Sequence, residues 1–120
     1  MKKLDLSQVI KTFEGKPFRE GDEKSAEMTL KRVILTYLRS ANQMGINPDE
    51  EITAYETGIK IASCEKECEL SSKEYDLVKK LADNAKIKQQ GQEQDIFGVE
   101  IKVQVKKMVD EAEMIKENKK

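Results

Sequence analysis

The chain has 120 residues, enough for one domain, and its 22 basic and 23 acidic side chains leave a net charge of −1. This balance removes the long-range field that draws proteins to nucleic acid or anionic membranes, and no apolar run approaches the roughly 20 residues that span a bilayer. The chain has no histidine and two cysteines. It therefore lacks the usual general base, and its cysteine content is typical of a reducing cytoplasm.

Residues 1–27 predict an extended N-terminal cap. Pro17 disfavours helix at Lys16, and Gly15 tolerates a positive φ. The stretch 14–17 is therefore expected to be a turn between two short extended segments, as in a small hairpin. A polar loop is expected at 21–25.

Three helix starts follow along the chain. Thr29 is expected to cap a first helix that ends at Gly45, and Asn47 to cap a second helix. Ser71 and Glu74 form the pattern of a capping box at the start of a third. The residues predicted to face the core are Leu30, Val33, Ile34, Tyr37, Leu38 and Ala41 in the first helix, Ile52, Tyr55, Ile59 and Ala62 in the second, and Tyr75, Val78, Leu81, Ala82 and Ala85 in the third.

Two patterns compete near the C-terminus, after a polar stretch at 89–94 that predicts a loop. Alternating apolar residues over 97–105 are typical of a β-strand. Helical spacing is kept by a longer set, which consists of Phe97, Ile101, Val105, Met108, Ala112 and Ile115. We favour one terminal helix capped by Asp95, in which Val99 and Val103 lie off the main stripe and are exposed, with a strand at 97–104 as the alternative.

The predicted fold is mainly α, a small bundle of about four helices around one core. The single domain, residues 1–120, comprises the extended cap at 1–27, a helical core at 28–115 and a charged tail at 116–120 that is expected to fray. The alternative fold is α+β, with the strand at 97–104.

The order of these features resembles a family of small uncharacterised phage and prophage proteins. The matching pieces are the turn at 14–17, the Thr-Leu pair at 29–30, the helix segment Tyr-Glu-Thr-Gly-Ile-Lys-Ile at 55–61 and the Glu-Leu-Ser-Ser-Lys-Glu segment at 69–74. The resemblance implies a viral origin, and hence a location in the host cytoplasm. It implies no catalytic residues.

Two clusters invite a metal hypothesis. Cys64 and Cys68 would be half of a tetrahedral zinc site, which only a symmetric dimer could complete. The favoured interpretation is therefore that both cysteines act as small, partly buried apolar residues. Glu65, Glu67 and Glu69 are interpreted as a solvated linker, because no calcium-loop pattern surrounds them. We predict no metal and no cofactor.

The basic residues form two groups, at 31–39 and 79–88. Lys79 and Lys86, with Lys80 as a further candidate, would share a face of the third helix and offer a phosphate site, although a solvated face is favoured. Binding of nucleic acid is therefore not expected, and neither is binding to a membrane.

The sequence predicts no enzyme, because it shows no nucleophile–base pair and no phosphate loop. The favoured function is that of an accessory protein that binds a host or viral protein. The alternatives are a virion assembly or structural component and binding of nucleic acid or a small nucleotide through the lysines. A homodimer through the C-terminal helix is also expected. The candidate interaction surface consists of Val99, Val103, Lys79 and Lys86.

Overall fold

A computed structural model describes residues 2–19, 27–89 and 92–118, except the side chains of 88–89 and 112–118. Within these residues the chain forms four α-helices and two small antiparallel sheets. The elements, in chain order, are β1 (Lys2–Asp5), α1 (Leu30–Arg39), α2 (Pro48–Ser63), β2 (Glu67–Leu70), α3 (Ser72–Asn84), β3 (Lys86–Gln89), β4 (Gln92–Asp95) and α4 (Val99–Asn118). The prediction of four helices is confirmed, and the two sheets add a β component to it.

The predicted N-caps of α1, α2 and α3 are confirmed. The side chains of Thr29, Asn47 and Ser71 each accept a hydrogen bond from the backbone N–H three residues later, at 3.3, 2.8 and 3.2 Å. Glu50 and Glu74 bond back to the N–H of their caps at 3.1 and 2.9 Å, which completes two capping boxes. Because a cap needs only neighbouring residues, it fixes these helix starts whatever the tertiary contacts.

The end of α1 differs from the prediction. The helix ends at Arg39 rather than at Gly45, and a 3-10 turn at Ala41–Gln43 follows. The Ser40 N–H is shared between the carbonyls of Thr36 and Tyr37, which tightens the last turn. Gly45 has the expected positive φ, at +80°.

The N-terminal segment is part of the core. Strand β1 pairs with β2, so that Leu4 lies opposite Cys68. Leu4, Leu6 and Ile10 are buried in the same cluster as the helices. Gly15, with a φ of +84°, lies in the predicted turn, which brings Lys11 and Pro17 together. The loop predicted at 21–25 lies outside the described residues.

The region before α4 corrects two predictions. The stretch expected to be a loop at 89–94 belongs largely to β3 and β4, which pair with each other in antiparallel orientation, while residues 90–91 lie outside the description. Lys86 lies opposite Asp95 in this strand pair, and such opposite charges favour pairing even among polar residues. Asp95 therefore ends a strand rather than capping α4, and its carboxylate accepts a hydrogen bond from Lys102 Nζ at 2.8 Å. The alternative of a strand at 97–104 is wrong, because the helix begins at Val99.

Helix α4 buries one stripe, formed by Ile101, Val105 and Val109. Phe97 precedes the helix, and its ring packs edge-on against Tyr37 with 5.8 Å between ring centroids. The helix continues to Asn118, past the predicted start of the frayed tail, while residues 119–120 are outside the description. The predicted stripe positions Ala112 and Ile115 have no described side chains.

Helix α2 is rotated relative to the prediction. Its predicted core residues Ile52, Tyr55, Ile59 and Ala62 are exposed, and its buried residues are Thr53, Ala54, Thr57 and Ile61. The short side chains of this inner face allow α2 to lie beside α1, where a Cβ on Gly58 would meet only Leu38 Cδ1, at 4.0 Å. The predicted inward stripe was therefore wrong.

Candidate functional site

The most prominent exposed feature is the outer face of α2, which we define as Ile52, Tyr55, Ile59 and Ala62. The first three side chains are 61%, 72% and 53% exposed. They recur at helical spacing, so they form one continuous stripe along the helix. Single exposed apolar residues are ordinary, but an aligned set of large ones is typical of a surface that binds something.

Two ion pairs hold α2 in this orientation against α3. Lys60 Nζ lies 2.6 Å from Glu74 Oε1, and Lys80 Nζ lies 2.9 Å from Glu50 Oε2. Burial acts to raise the pKa of Glu74, but hydrogen bonds from Lys60 and Ser71 outweigh it and leave the pKa below its ordinary value. The pKa of Glu50 is also lowered, first by its hydrogen bond from Lys80. Both pairs lie on the side of α2 that faces α3, and so leave the outer face in solvent.

Acidic side chains border the outer face of α2. Glu51 and Glu56 flank the stripe on its two sides by helical position, and Asp49 lies about two turns before Glu56 on the same side. All three are exposed, and none has an ion pair in the part of the chain that the structure describes. The surface around the apolar stripe is therefore locally negative, although the whole chain is nearly neutral.

A second apolar patch lies at the start of α4, where Val99 and Val103 are 64% and 46% exposed. Phe13, which is 80% exposed, approaches the same helix, because its backbone N–H donates to Glu100 Oε2 at 2.7 Å. A further hydrogen bond, from the Lys11 N–H to Gln104 Oε1 at 2.9 Å, holds the N-terminal turn against α4. We call Phe13, Val99 and Val103 the α4 patch.

The structure does not bring the predicted lysines onto one helix face. Lys79 lies on α3 with its Nζ 3.8 Å from Asp110 Oδ1, whereas Lys86 lies on strand β3, opposite Asp95. Lys80 is paired with Glu50, as described above. Because each of these lysines has a carboxylate nearby, the positive potential that a phosphate needs is reduced.

The other basic group lines an open groove of about 380 Å³ along α1, with Lys31, Arg32 and Arg39 among its walls. Lys31 Nζ donates to the carbonyl oxygens of Ala62 and Cys64, at 3.2 and 2.7 Å. Lys31 thereby satisfies carbonyls at the end of α2, where a positive charge is favourable. Its role in the structure is to join α1 to α2.

The two cysteines do not share a helix face, because α2 ends before them. Cys64 is half-buried just after Ser63, Cys68 is buried on β2, and both are free thiols. Burial raises the pKa of Cys68 to about 12, and the adjacent Cys64 thiol adds to the shift. Among the described residues, no three side chains of the types Cys, Asp and Glu are grouped so that they could hold a metal ion.

The largest pKa shifts belong to groups packed in the interior rather than to a shared cleft. Burial raises the pKa of Tyr37 to about 12, with a smaller effect from Asp95. Tyr37 packs against Phe97, whereas Cys68 lies on the sheet formed by β1 and β2. These shifts therefore have structural causes, and they do not mark a common reaction centre.

The outer face of α2 is the part of the candidate site that sequence reasoning missed. Periodicity identified the stripe of Ile52, Tyr55 and Ile59 but placed it in the core. A signal was present in the opposite face, where Ala54 and Gly58 are small enough for a helix to approach. In the described residues we find no helix with the length and apolar character needed to cross a membrane.

The sequence has no significant match among protein-family models, curated proteins or solved structures.

Proposed function

We propose that the protein is a non-catalytic binding protein that docks another protein on the outer face of α2. The observation that carries this proposal is the alignment of three large exposed apolar side chains, Ile52, Tyr55 and Ile59, on one helix. Removing such a stripe from water contributes about 25 cal/mol for each Å² of apolar area, from which the costs of association are subtracted. Tyrosine is among the residues that most often dominate binding energy at interfaces.

Within the described residues, the strong pKa shifts have structural causes, which is compatible with a binding role. The strongly shifted groups, Tyr37 and Cys68, lie apart in the interior, and the carboxylates and lysines that link α2 to α3 are paired with one another. The further assignment to phage or prophage accessory proteins, acting on a host or viral protein, rests on the resemblance of the sequence motifs.

The proposal is tested by comparing capture of partners from lysate by matched variants. The double variant Tyr55→Ser/Ile59→Ser removes most of the outer face of α2, and Val99→Ser/Val103→Ser removes the same kind of area from the α4 patch. We expect the first variant to lose a partner that the unaltered protein and the second variant both retain. Circular dichroism checks that both variants are folded. Equal retention by both would contradict the proposal.

A second proposal is that the protein forms a homodimer through the α4 patch. It is favoured by the exposure of Phe13, Val99 and Val103, three apolar side chains on two segments, the N-terminal turn and α4, that hydrogen bonds join. The substitution Val103→Lys is expected to convert a dimer into a monomer, as measured by light scattering. A monomer at tens of micromolar for the unaltered protein would exclude this interface.

A further inference from the structure

The apolar residues on the outer face of α2 follow the spacing of a coiled-coil seam. Ile52, Tyr55, Ile59 and Ala62 are separated by steps of three, four and three residues. This is the alternation by which one helix packs its side chains between those of another. The seam extends over about 15 Å of helix, at about 1.5 Å for each residue. The shape of the face therefore suits a second helix lying along it.

The charges beside the seam indicate which helix fits. In a coiled coil the residues just outside the seam face their counterparts on the partner and determine which partner is accepted. Here these positions are held by Glu51 and Glu56, with Asp49 nearby, and all three are exposed and without ion pairs in the described part of the chain. The other charged residues of the helix, Glu50 and Lys60, are used in pairing with α3.

A second copy of the chain is a poor fit to this face. In a parallel pair of α2 helices, Glu51 of one copy would face Glu56 of the other. In an antiparallel pair with the two seams aligned, the two Glu56 side chains would approach near the twofold axis. Both arrangements place like charges together at the edge of an interface, which is unfavourable. An anionic membrane surface would be repelled by the same carboxylates.

We propose that the outer face of α2 binds an amphipathic helix of another protein in which lysine or arginine residues flank an apolar stripe of heptad spacing. This inference rests on the proposed function and adds the chemistry of the partner. The apolar seam supplies the contact area, while Glu51 and Glu56 select the partner and set its register. Because the three carboxylates stay near the rim, their contribution is sensitive to salt.

The test uses the full chain and two synthetic helical peptides that share one apolar seam. One peptide carries lysine at every flanking position and the other carries glutamate. We expect the lysine peptide to bind at least about tenfold more tightly, which corresponds to about 1.4 kcal/mol. Raising NaCl from about 50 mM to about 500 mM is expected to reduce this preference, because screening weakens rim charges.

Charge reversal provides the decisive variant. In Glu51→Lys/Glu56→Lys the apolar seam is intact, so the preference should pass to the glutamate peptide. The variant Tyr55→Ser/Ile59→Ser should lose both peptides, whereas Val99→Ser/Val103→Ser should bind like the unaltered protein. Folding of each is checked by circular dichroism.

The outcomes separate the inference from the proposed function. Peptide binding that needs Tyr55 and Ile59 but ignores flanking charge would overturn the inference and leave the proposed function standing. Binding unaffected by the loss of Tyr55 and Ile59 would contradict both. Two further results would overturn the inference and also the proposed docking of another protein, namely a dimer that dissociates in Tyr55→Ser/Ile59→Ser, or phosphatidylglycerol vesicles that bind through the same two residues.

Discussion

Helix α4 packs its apolar stripe of Ile101, Val105 and Val109 into the core, whereas α2 exposes Ile52, Tyr55 and Ile59 and packs through a face of mostly small side chains. Both stripes have clear helical periodicity. The two helices differ in what lies on the opposite face: mostly charged residues beside Val99 and Val103 in α4, and mostly small residues (alanine, threonine and glycine) together with Ile61 in α2. Periodicity therefore identifies an apolar stripe, but the second face helps to decide whether the stripe faces the core or the solvent.

The sharpest test of this comparison uses two isoleucines of α2 that lie two positions apart. Ile61 is fully buried and Ile59 is 53% exposed. We expect Ile61→Ala to lower the free energy of unfolding by about 2–5 kcal/mol, since it leaves a cavity in the core. The matched variant Ile59→Ala should change it by less than about 0.5 kcal/mol. Urea denaturation measures both, and equal losses would mean that the outer face of α2 is packed.

How much the sequence predicts depends on how local the determining contacts are. Ser71 and Glu74 cap α3 through atoms three residues apart, and this start was predicted correctly. Helix α2 packs against α1 and α3, which are separate segments of the chain, so its own periodicity could not fix its rotation. The pairing of β1 with β2 is likewise non-local.

The outer face of α2 illustrates the same limit for the candidate site. The sequence predicted that Val99 and Val103 would be exposed, because they fall outside a stripe that a single helix needs for packing, and both are exposed. It could not predict the exposure of Tyr55, because on α2 the exposed stripe is the more apolar of two possible faces.

The next largest change in stability is expected when the hydroxyl groups of two buried tyrosines are removed in turn. The Tyr75 hydroxyl donates to the carbonyl oxygen of Val109 at 2.6 Å and so ties α3 to α4. The Tyr37 hydroxyl is buried without a hydrogen-bond partner among the described residues. We expect Tyr75→Phe to cost about 1–1.5 kcal/mol, and Tyr37→Phe to be neutral or slightly stabilising. Thermal denaturation measures the stability of both variants. A larger loss of stability in Tyr37→Phe than in Tyr75→Phe would contradict the assignment of the hydrogen bond to Tyr75.

A change of opposite sign is expected on the inner face of α2. Thr57 is fully buried, and within the described chain its hydroxyl has no hydrogen-bond partner. The substitution Thr57→Val keeps the shape and removes that hydroxyl, so stability should rise by about 1 kcal/mol. The neighbouring Thr53 hydroxyl donates to the Asp49 carbonyl at 3.3 Å. Thr53→Val is the matched control and should show no gain in stability. A gain as large as that of Thr57→Val would contradict the explanation by the unpaired Thr57 hydroxyl.

The smallest expected effect concerns the ion pair between Lys60 and Glu74, which links α2 to α3, and it depends on pH. Because the pKa of Glu74 in the folded protein is below its ordinary value of 4.5, ionised Glu74 stabilises the fold above that pH, and this contribution is lost as the pH falls through the folded pKa. Glu74→Gln retains a group that can bond to the Ser71 N–H but removes the charge beside Lys60. The variant should therefore be less stable than the unaltered protein at neutral pH by about 0.2–1 kcal/mol, the range typical of ion pairs near the protein surface.

The decisive measurement for this pair is how the difference in stability changes with pH. We expect the two unfolding free energies to converge as the pH is lowered from 6 to about 3, since protonated Glu74 offers Lys60 no charge. A difference that stays constant over this range would show that Glu74 acts through its hydrogen bonds to the cap alone. In that case Lys60 would not fix the rotation of α2, and the exposure of its outer face would depend on the pair between Lys80 and Glu50 and on the small side chains that face α1.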